Sequence, residues 1–289
     1  MKKAAIAVLA LTLVFTALAG CAGSSAPAES NAPANTDFSG SIAVYTREES
    51  SGTRGAFVEL TGVGEDMYPE AVTNTDTNAI LTSIEENRHA ISYVSLGAVT
   101  PGVKIVKVDG VQPSTATIKD GSFAIQRPFI VCVNAESAEK ELVKDFIGFM
   151  MSAEGQALSA TKWLAADDNA PAYAGGGLSG TITVGGSTSV DPLMVELVAA
   201  YKAHNPGVDI PMTGGGSGTG ISEAASGVLD IGMSSRDLKD EELASLTPYV
   251  IARDGVVVVV NPENPLENLT IAQIKAIFTG EVTDWANVK

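Results

Sequence analysis

Gly214-Gly215-Gly216-Ser217-Gly218-Thr219-Gly220 separates a strand-like apolar run, Val208 to Pro211, from a helical run that extends to Val228. Without a Cβ to block approach, such a loop lets several backbone N–H groups point one way. A helix that starts directly after it adds unpaired first-turn N–H groups and the positive end of its dipole. The product is an oxyanion socket that needs no net positive charge. Two further stretches share the design. Gly186-Ser187-Thr188-Ser189 precedes a helix expected over Pro192 to His204, and Ser50-Ser51-Gly52-Thr53 precedes one near Arg54 to Leu60. Ser, Thr and Gly are also ordinary N-cap and turn residues, so one such loop carries little weight. Three in one chain, one of them with Arg47 just upstream, point to a single shared anion site.

Outward from these loops, strand and helix signals alternate. Strands are expected at Ile42–Tyr45, Ala90–Leu96, Val103–Val108, within Phe123–Asn134, and at Thr181–Val184, Val208–Pro211 and Asp230–Ser235. Helices are expected over Asn78–Arg88, Ala138–Met151 and Thr270–Thr279, each with apolar residues on one face. Val256 to Val260 is apolar on every face and reads as a central buried strand. This alternation predicts an α/β fold with largely parallel sheet. Residues 164–180, with Gly175-Gly176-Gly177, have the composition of a linker.

With 289 residues, 45% of them hydrophobic, the chain can form one large domain or two lobes. A formal net charge of −16 argues against nucleic acid or an anionic membrane face as partner. It does not exclude an anionic ligand, because surface charge is screened over about 8 Å in physiological saline while a desolvated socket is not. Cys21 and Cys132 are the only cysteines, and His89 and His204 lie far apart, so no metal-ligand spacing and no cofactor motif is present. Lys2 and Lys3 followed by the apolar run Ala4 to Ala19 mark residues 1–20 as a signal peptide. Leu18-Ala19-Gly20-Cys21 resembles the lipobox of bacterial lipoproteins. That resemblance implies cleavage before Cys21, acylation there, and a cell-membrane anchor on the extracytoplasmic face. Residues 22–37, rich in Ala, Ser, Pro and Asn, read as a flexible tether.

The segments GGSTSVDPL, GGGSGTGI, LDIGMSSRDLKDEE, IFTGEVTDW, YTREESSGTRGAF and AISYVSL, together with QRPF, resemble the phosphate-binding proteins of bacterial phosphate ABC importers. The resemblance covers nearly all of residues 41–289 and implies a periplasmic-binding-protein fold of the type II, flytrap kind: two α/β lobes on a hinge. The segment order differs from the family's, which runs from the GSTSV-like strand through the TGE-x-x-x-W helix to the R-x-x-x-SGT segment. Here residues 41 to about 170 come first and the chain stops just after Trp285, as in a circular permutation joined through Gly175-Gly176-Gly177. On this mapping, residues 115–257 form a continuous lobe, and residues 38–114 with 258–289 form a discontinuous one. A partly read tandem protein and a swapped dimer are the other origins; a monomer is the simpler expectation.

Motif by motif, the resemblance places Thr188, Ser189, Ser217, Arg47, Ser51, Gly52 and Thr53 on phosphate, with the arginine forking onto two of its oxygens. Ser235 stands where many members carry an aspartate that accepts the proton of a protonated phosphate, which leaves rejection of sulfate less secure. Arg236 is expected to pair with Asp237 or Asp254 rather than to bind the ligand, and Glu48 and Glu49 to orient Arg47. The implied partners are inorganic phosphate, the permease and the membrane. An enzyme is disfavoured: the G-x-S-x-G elbow ends in Thr219, no lysine follows Gly220 as in a P-loop, and no histidine accompanies a serine motif.

Overall fold

In the computed structural model, residues 38–288 are described; the signal-peptide segment, Cys21 and residues 22–37 lie outside them. Val256 to Val260 are fully buried, and they form the last five residues of one 14-residue strand, Thr247–Val260. In chain order the principal strands are β1 (Ala43–Arg47), β2 (Val72–Asn74), β3 (Ala90–Ser95), β4 (Gln126–Val133), β5 (Val184–Gly186), β6 (Met212–Gly214), β7 (Ile231–Ser234) and β8 (Thr247–Val260). They lie in one sheet in the order β6-β5-β7-β4-β8-β3-β1-β2. Pairing is parallel at both flanks, among β5, β6 and β7 and among β1, β2 and β3. In the middle β4 and β8 run antiparallel to each other, β4 to β7 and β8 to β3. The sheet is therefore mixed, with an antiparallel ribbon joining two parallel flanks.

β8 changes partner along its length: Thr247 to Gly255 pairs with β4, and Val256 to Val260 pairs with β3. Two apolar cores follow from this change. One gathers buried residues from Ile42 to Ile125 with Val256 to Trp285, and the other gathers residues from Phe129 to Ala252. Covering helices supply the remaining apolar faces: α1 (Gly52–Thr61), α2 (Thr77–Glu86) and α6 (Ile271–Phe278) on the first core, α3 (Glu141–Met150) and α4 (Asp191–His204) on the second. Helix α5 (Ser217–Ala225) packs through Ile221 and Ala224 beside Ile130 and Cys132 of β4. In the first core Phe57 of α1 stacks on Tyr93 of β3 with ring centroids 3.9 Å apart, and Phe278 of α6 meets Phe57 edge-on at 4.7 Å.

Local chemistry redraws several expected boundaries. The helix expected over Ala138–Met151 is two helices, Ala135–Glu139 and α3, separated by Lys140 in extended backbone. Asn134 caps the first through Ser137 N–H, and the Lys140 ammonium reaches Asp230 at 2.6 Å. The strand expected at Thr181–Val184 is divided: Ser179–Thr181 pairs with Gly207–Asp209 in a separate two-stranded sheet, and β5 begins only at Val184. The expected linker is held down, since Gly177 N–H donates to the His204 carbonyl and Leu178 N–H to Asn205. The two described ends lie side by side: Ile42 N–H donates to the Thr283 carbonyl (2.8 Å) and Trp285 N–H to that of Gly40 (3.0 Å).

Phe57→Ala, which empties the centre of the aromatic stack, is expected to cost about 3–5 kcal/mol in urea-unfolding experiments. A loss under about 1 kcal/mol would show that the stack does not bear on the first core.

Candidate functional site

Three loops, each between a strand and a helix, meet at one place. β1 ends in Arg47, and the chain turns with Ser51 N–H donating to the Glu48 carbonyl before α1 begins. β5 leads into Ser187, whose N–H donates to the Met233 carbonyl of neighbouring β7, and then into α4. β6 leads through Gly215 and Gly216 into α5. The Ser51 hydroxyl caps α1 by accepting from Arg54 N–H, whereas α4 and α5 begin without any side-chain cap. Their first-turn N–H groups, with the positive dipole ends, are thus left to other acceptors.

Arg47 is buried, with 3% of its side chain exposed, and its donors find acceptors on two sides. Nε and Nη2 form a fork onto both Glu48 oxygens at 2.9 Å, Nη1 donates to the Thr77 hydroxyl (3.2 Å), and Nη2 also reaches the Thr75 carbonyl and the Thr188 hydroxyl (3.0 Å). Its backbone is pinned as well, since Arg47 N–H donates to the Tyr93 hydroxyl, which also bonds Thr46 at 2.7 Å. Burial pushes the Tyr93 phenol above its ordinary value and keeps it a neutral partner. A planar guanidinium held this way has its Nε–Nη2 edge committed to Glu48 and leaves Nη1 and Nη2, now on the Thr77 and Thr188 hydroxyls, as the edge that suits a tetrahedral oxyanion.

Around it sits a cluster of hydroxyls. Thr53 and Ser189 are 2.6 Å apart, Ser187 donates to Ser235 at 2.8 Å, and Ser235 lies 3.3 Å from Ser217, whose oxygen accepts from Ser235 N–H. Gly52 closes over this cluster so tightly that an added Cβ would land on the hydroxyls of Ser217 and Ser235. Gly216, at φ +86°, faces Ser50 and Glu48, where a side chain has neither the room nor the backbone freedom. The structure thus brings together Arg47, Gly52, Thr53, Thr188, Ser189, Ser217 and Ser235, while the Ser51 hydroxyl faces its own helix. Ser187, part of the expected Gly186–Ser189 loop but not assigned to the ligand, and Thr77, which was not singled out, join them; Thr77 follows Asp76, the side-chain cap of α2, so a fourth helix start was the available signal.

Such a site is a set of neutral donors around one fixed cation that is paired with Glu48. His204 sits on Glu154 and His89 against Phe38, away from the hydroxyls. Among the described residues no cluster of His, Cys, Asp and Glu could hold a metal.

A family model described as a PBP superfamily domain matches residues 31–154 and 171–289. The phosphate-binding protein PstS 2 of Streptococcus agalactiae serotype V is 40% identical over 281 residues, 94% of this chain and 92% of that one. The chain belongs to the PBP superfamily, in its PstS-type branch. A solved phosphate-binding protein of a phosphate ABC transporter from Streptococcus pneumoniae TIGR4 superposes with a TM-score of 0.70 at 39% identity, covering 86% of this chain and all of that one. By contrast, PstS of Bacillus subtilis aligns over only 110 residues, 37% of each chain, at 32% identity.

Within this PstS-type site the expected partners of two charged residues need correction. Arg236 pairs with neither Asp237 nor Asp254 through their carboxylates; its two Nη atoms fork onto Glu242 at 2.8 and 2.7 Å, because the short helix Asp240–Leu243 brings that carboxylate back over the turn. Asp254 is taken by Arg127. Glu48 alone orients Arg47, while Glu49 is exposed along a cleft of about 960 Å³ that also borders Ser50, Ser51, Arg54 and Gly218. Asp191, the first residue of α4, has a buried Oδ1 without a hydrogen-bond partner, and burial pushes its carboxyl up to about 6.

Since that value exceeds the unfolded one of 3.8, the native state holds the extra proton between the two, and the contribution of Asp191 to stability falls as pH rises through that window. Relative to the wild type, Asp191→Asn is expected to gain in unfolding free energy between about pH 4 and pH 7, followed by urea titration at each pH. A difference that does not change with pH would contradict this assignment.

Proposed function

We propose that the protein is the extracytoplasmic binding component of a phosphate importer: it captures inorganic phosphate between two lobes and hands it to an ABC permease. The observation that carries this reading is the convergence of one buried guanidinium, seven hydroxyls and two uncapped helix starts on a single point. A tetrahedral dianion needs many donors at fixed directions, and neutral hydroxyls and N–H groups satisfy it without a net positive surface. The PstS 2 relatives are named for phosphate binding, which agrees with that chemistry.

Capture by closure fits the two cores joined through the β4–β8 ribbon; Ile118, Phe123, Ile125, Val256 and Val257 pack in the first core, so the two sides divide near residues 126 and 255 rather than at 115 and 257 as the sequence mapping had it. A circularly permuted order is supported by the side-by-side chain ends, the anchored Gly175-Gly176-Gly177 join, and the contrast between full-length alignment to PstS 2 and partial alignment to the Bacillus protein. Acylation at Cys21 would hold the protein at the outer face of the cell membrane. Among the described residues no helix is long and apolar enough to span a membrane.

Calorimetric titration with phosphate tests the reading. Ser217→Ala removes one donor and is expected to weaken binding by about 1 kcal/mol, whereas Arg47→Met is expected to cost 1.5–3 kcal/mol or more, roughly the scale of a charged hydrogen bond. Gly52→Ala is expected to abolish binding in a protein that still folds, because the new methyl collides with the Ser217 and Ser235 hydroxyls and drives them out of place. Wild-type phosphate affinity in all three variants would remove the site. Cys21→Ser is expected to move the protein from the membrane fraction to the soluble one.

A further inference from the structure

Behind the hydroxyl cluster lies a second arginine that the phosphate reading does not use. Arg127 of β4 and Asp254 of β8 are register partners in the ribbon that joins the two cores. Both side chains are buried, with 1% and 0% exposed. Nε and Nη2 of Arg127 donate to one Asp254 oxygen at 3.1 and 3.0 Å, and Nη1 donates to the backbone carbonyl of Ser235 at 3.3 Å. The other Asp254 oxygen accepts from the hydroxyl of Ser95 at 2.9 Å, and the Trp163 indole N–H donates to that same hydroxyl. Gly97 leaves the room that the Trp163 ring fills.

A buried ion pair is an expensive way to hold a ribbon together, since well-packed apolar residues of like volume serve stability as well or better. What the pair does here is gather four separate segments: the end of β3 at Ser95, the loop carrying Trp163, the ribbon, and the turn carrying Ser235. Every polar group of Ser235 is thereby engaged. Its N–H goes to Ser217, its hydroxyl to Ser187 and Ser217, and its carbonyl to Arg127. Only the last of these comes from outside the hydroxyl cluster. Ser235 is also the position at which the chain carries a neutral hydroxyl, so its aim rests on hydrogen bonds rather than on charge.

We infer that Arg127, held by Asp254, is a positioning residue of the phosphate site: it fixes Ser235 from behind and ties the aim of that residue to the ribbon on which the two cores meet. The inference rests on the phosphate reading above. Burial pushes Asp254 above the ordinary carboxylate range while Arg127 and the Ser95 and Leu96 donors oppose it, so the carboxylate depends on its guanidinium and removing one partner alone strands the other.

The test therefore removes both charges together. In R127M/D254N the ribbon keeps its volume, and the protein is expected to fold with a cooperative melt while phosphate affinity falls at least tenfold. In the Ser235→Ala background the same pair of changes is expected to lose much less, because the residue being aimed no longer has its hydroxyl. Folded R127M/D254N that binds phosphate like the wild type, or losses that simply add in the Ser235→Ala background, would overturn the proposal. Should R127M/D254N not fold, Arg127→Lys keeps the charge but cannot reach Asp254 and the Ser235 carbonyl at once. A folded Arg127→Lys with unchanged affinity overturns the proposal equally, and a weakened one supports it. Failure of the wild type to bind phosphate in the same assay would instead strike the phosphate reading and leave the variants without a reference.

Discussion

An arginine with 3% of its side chain exposed must be surrounded by acceptors, and Arg47 finds them on both sides of the site. Glu48 takes the fork from its own loop, while Thr188 answers from the loop after β5, 141 residues away in sequence. Neither loop could be displaced without stranding a buried charge, which is costlier than losing a neutral contact. The strand–loop–helix units on either side are thus held in register by one side chain. Its own backbone is tied through Tyr93 to the aromatic stack of the first core.

The ribbon of β4 and β8 supplies the complementary constraint. Because β8 pairs with β4 over its first part and with β3 over its second, the same strand belongs to both cores. The site lies at the side of the ribbon, on loops rather than on strands, where small residues let the backbones of α1 and α5 approach. Gly52 and Gly216 mark the two points of closest approach, and each faces hydroxyls or a carboxylate contributed by the opposite loop.

Much of this was legible in the sequence because its signals are local. A Gly-rich loop, a Ser or Thr before an apolar periodic run, and five consecutive valines each announce a strand–helix junction or a buried strand from within a dozen residues. The site residues that were missed lack such signals. Ser187 differs in nothing from its neighbours until β7 places Ser235 beside it. Thr77 reads only as the start of α2. Arg127 reads as one polar residue in a β-rich run, and its partner Asp254 lies 127 residues further on. Arg236 had the adjacent Asp237 to choose, and only the turn into the short helix at Asp240 decides for Glu242. The helix is also split at Lys140, whose ammonium reaches Asp230, a contact that no local pattern encodes.

The most direct measurement is a crystal structure of the protein grown with phosphate and without other oxyanions. Tetrahedral density within hydrogen-bond reach of Arg47, Thr53, Thr188, Ser189 and Ser217, under Gly52, is the expected result. Density instead in the wide cleft beside Arg54 and Arg236, with the hydroxyl cluster still paired to itself, would contradict a site built from the three loops.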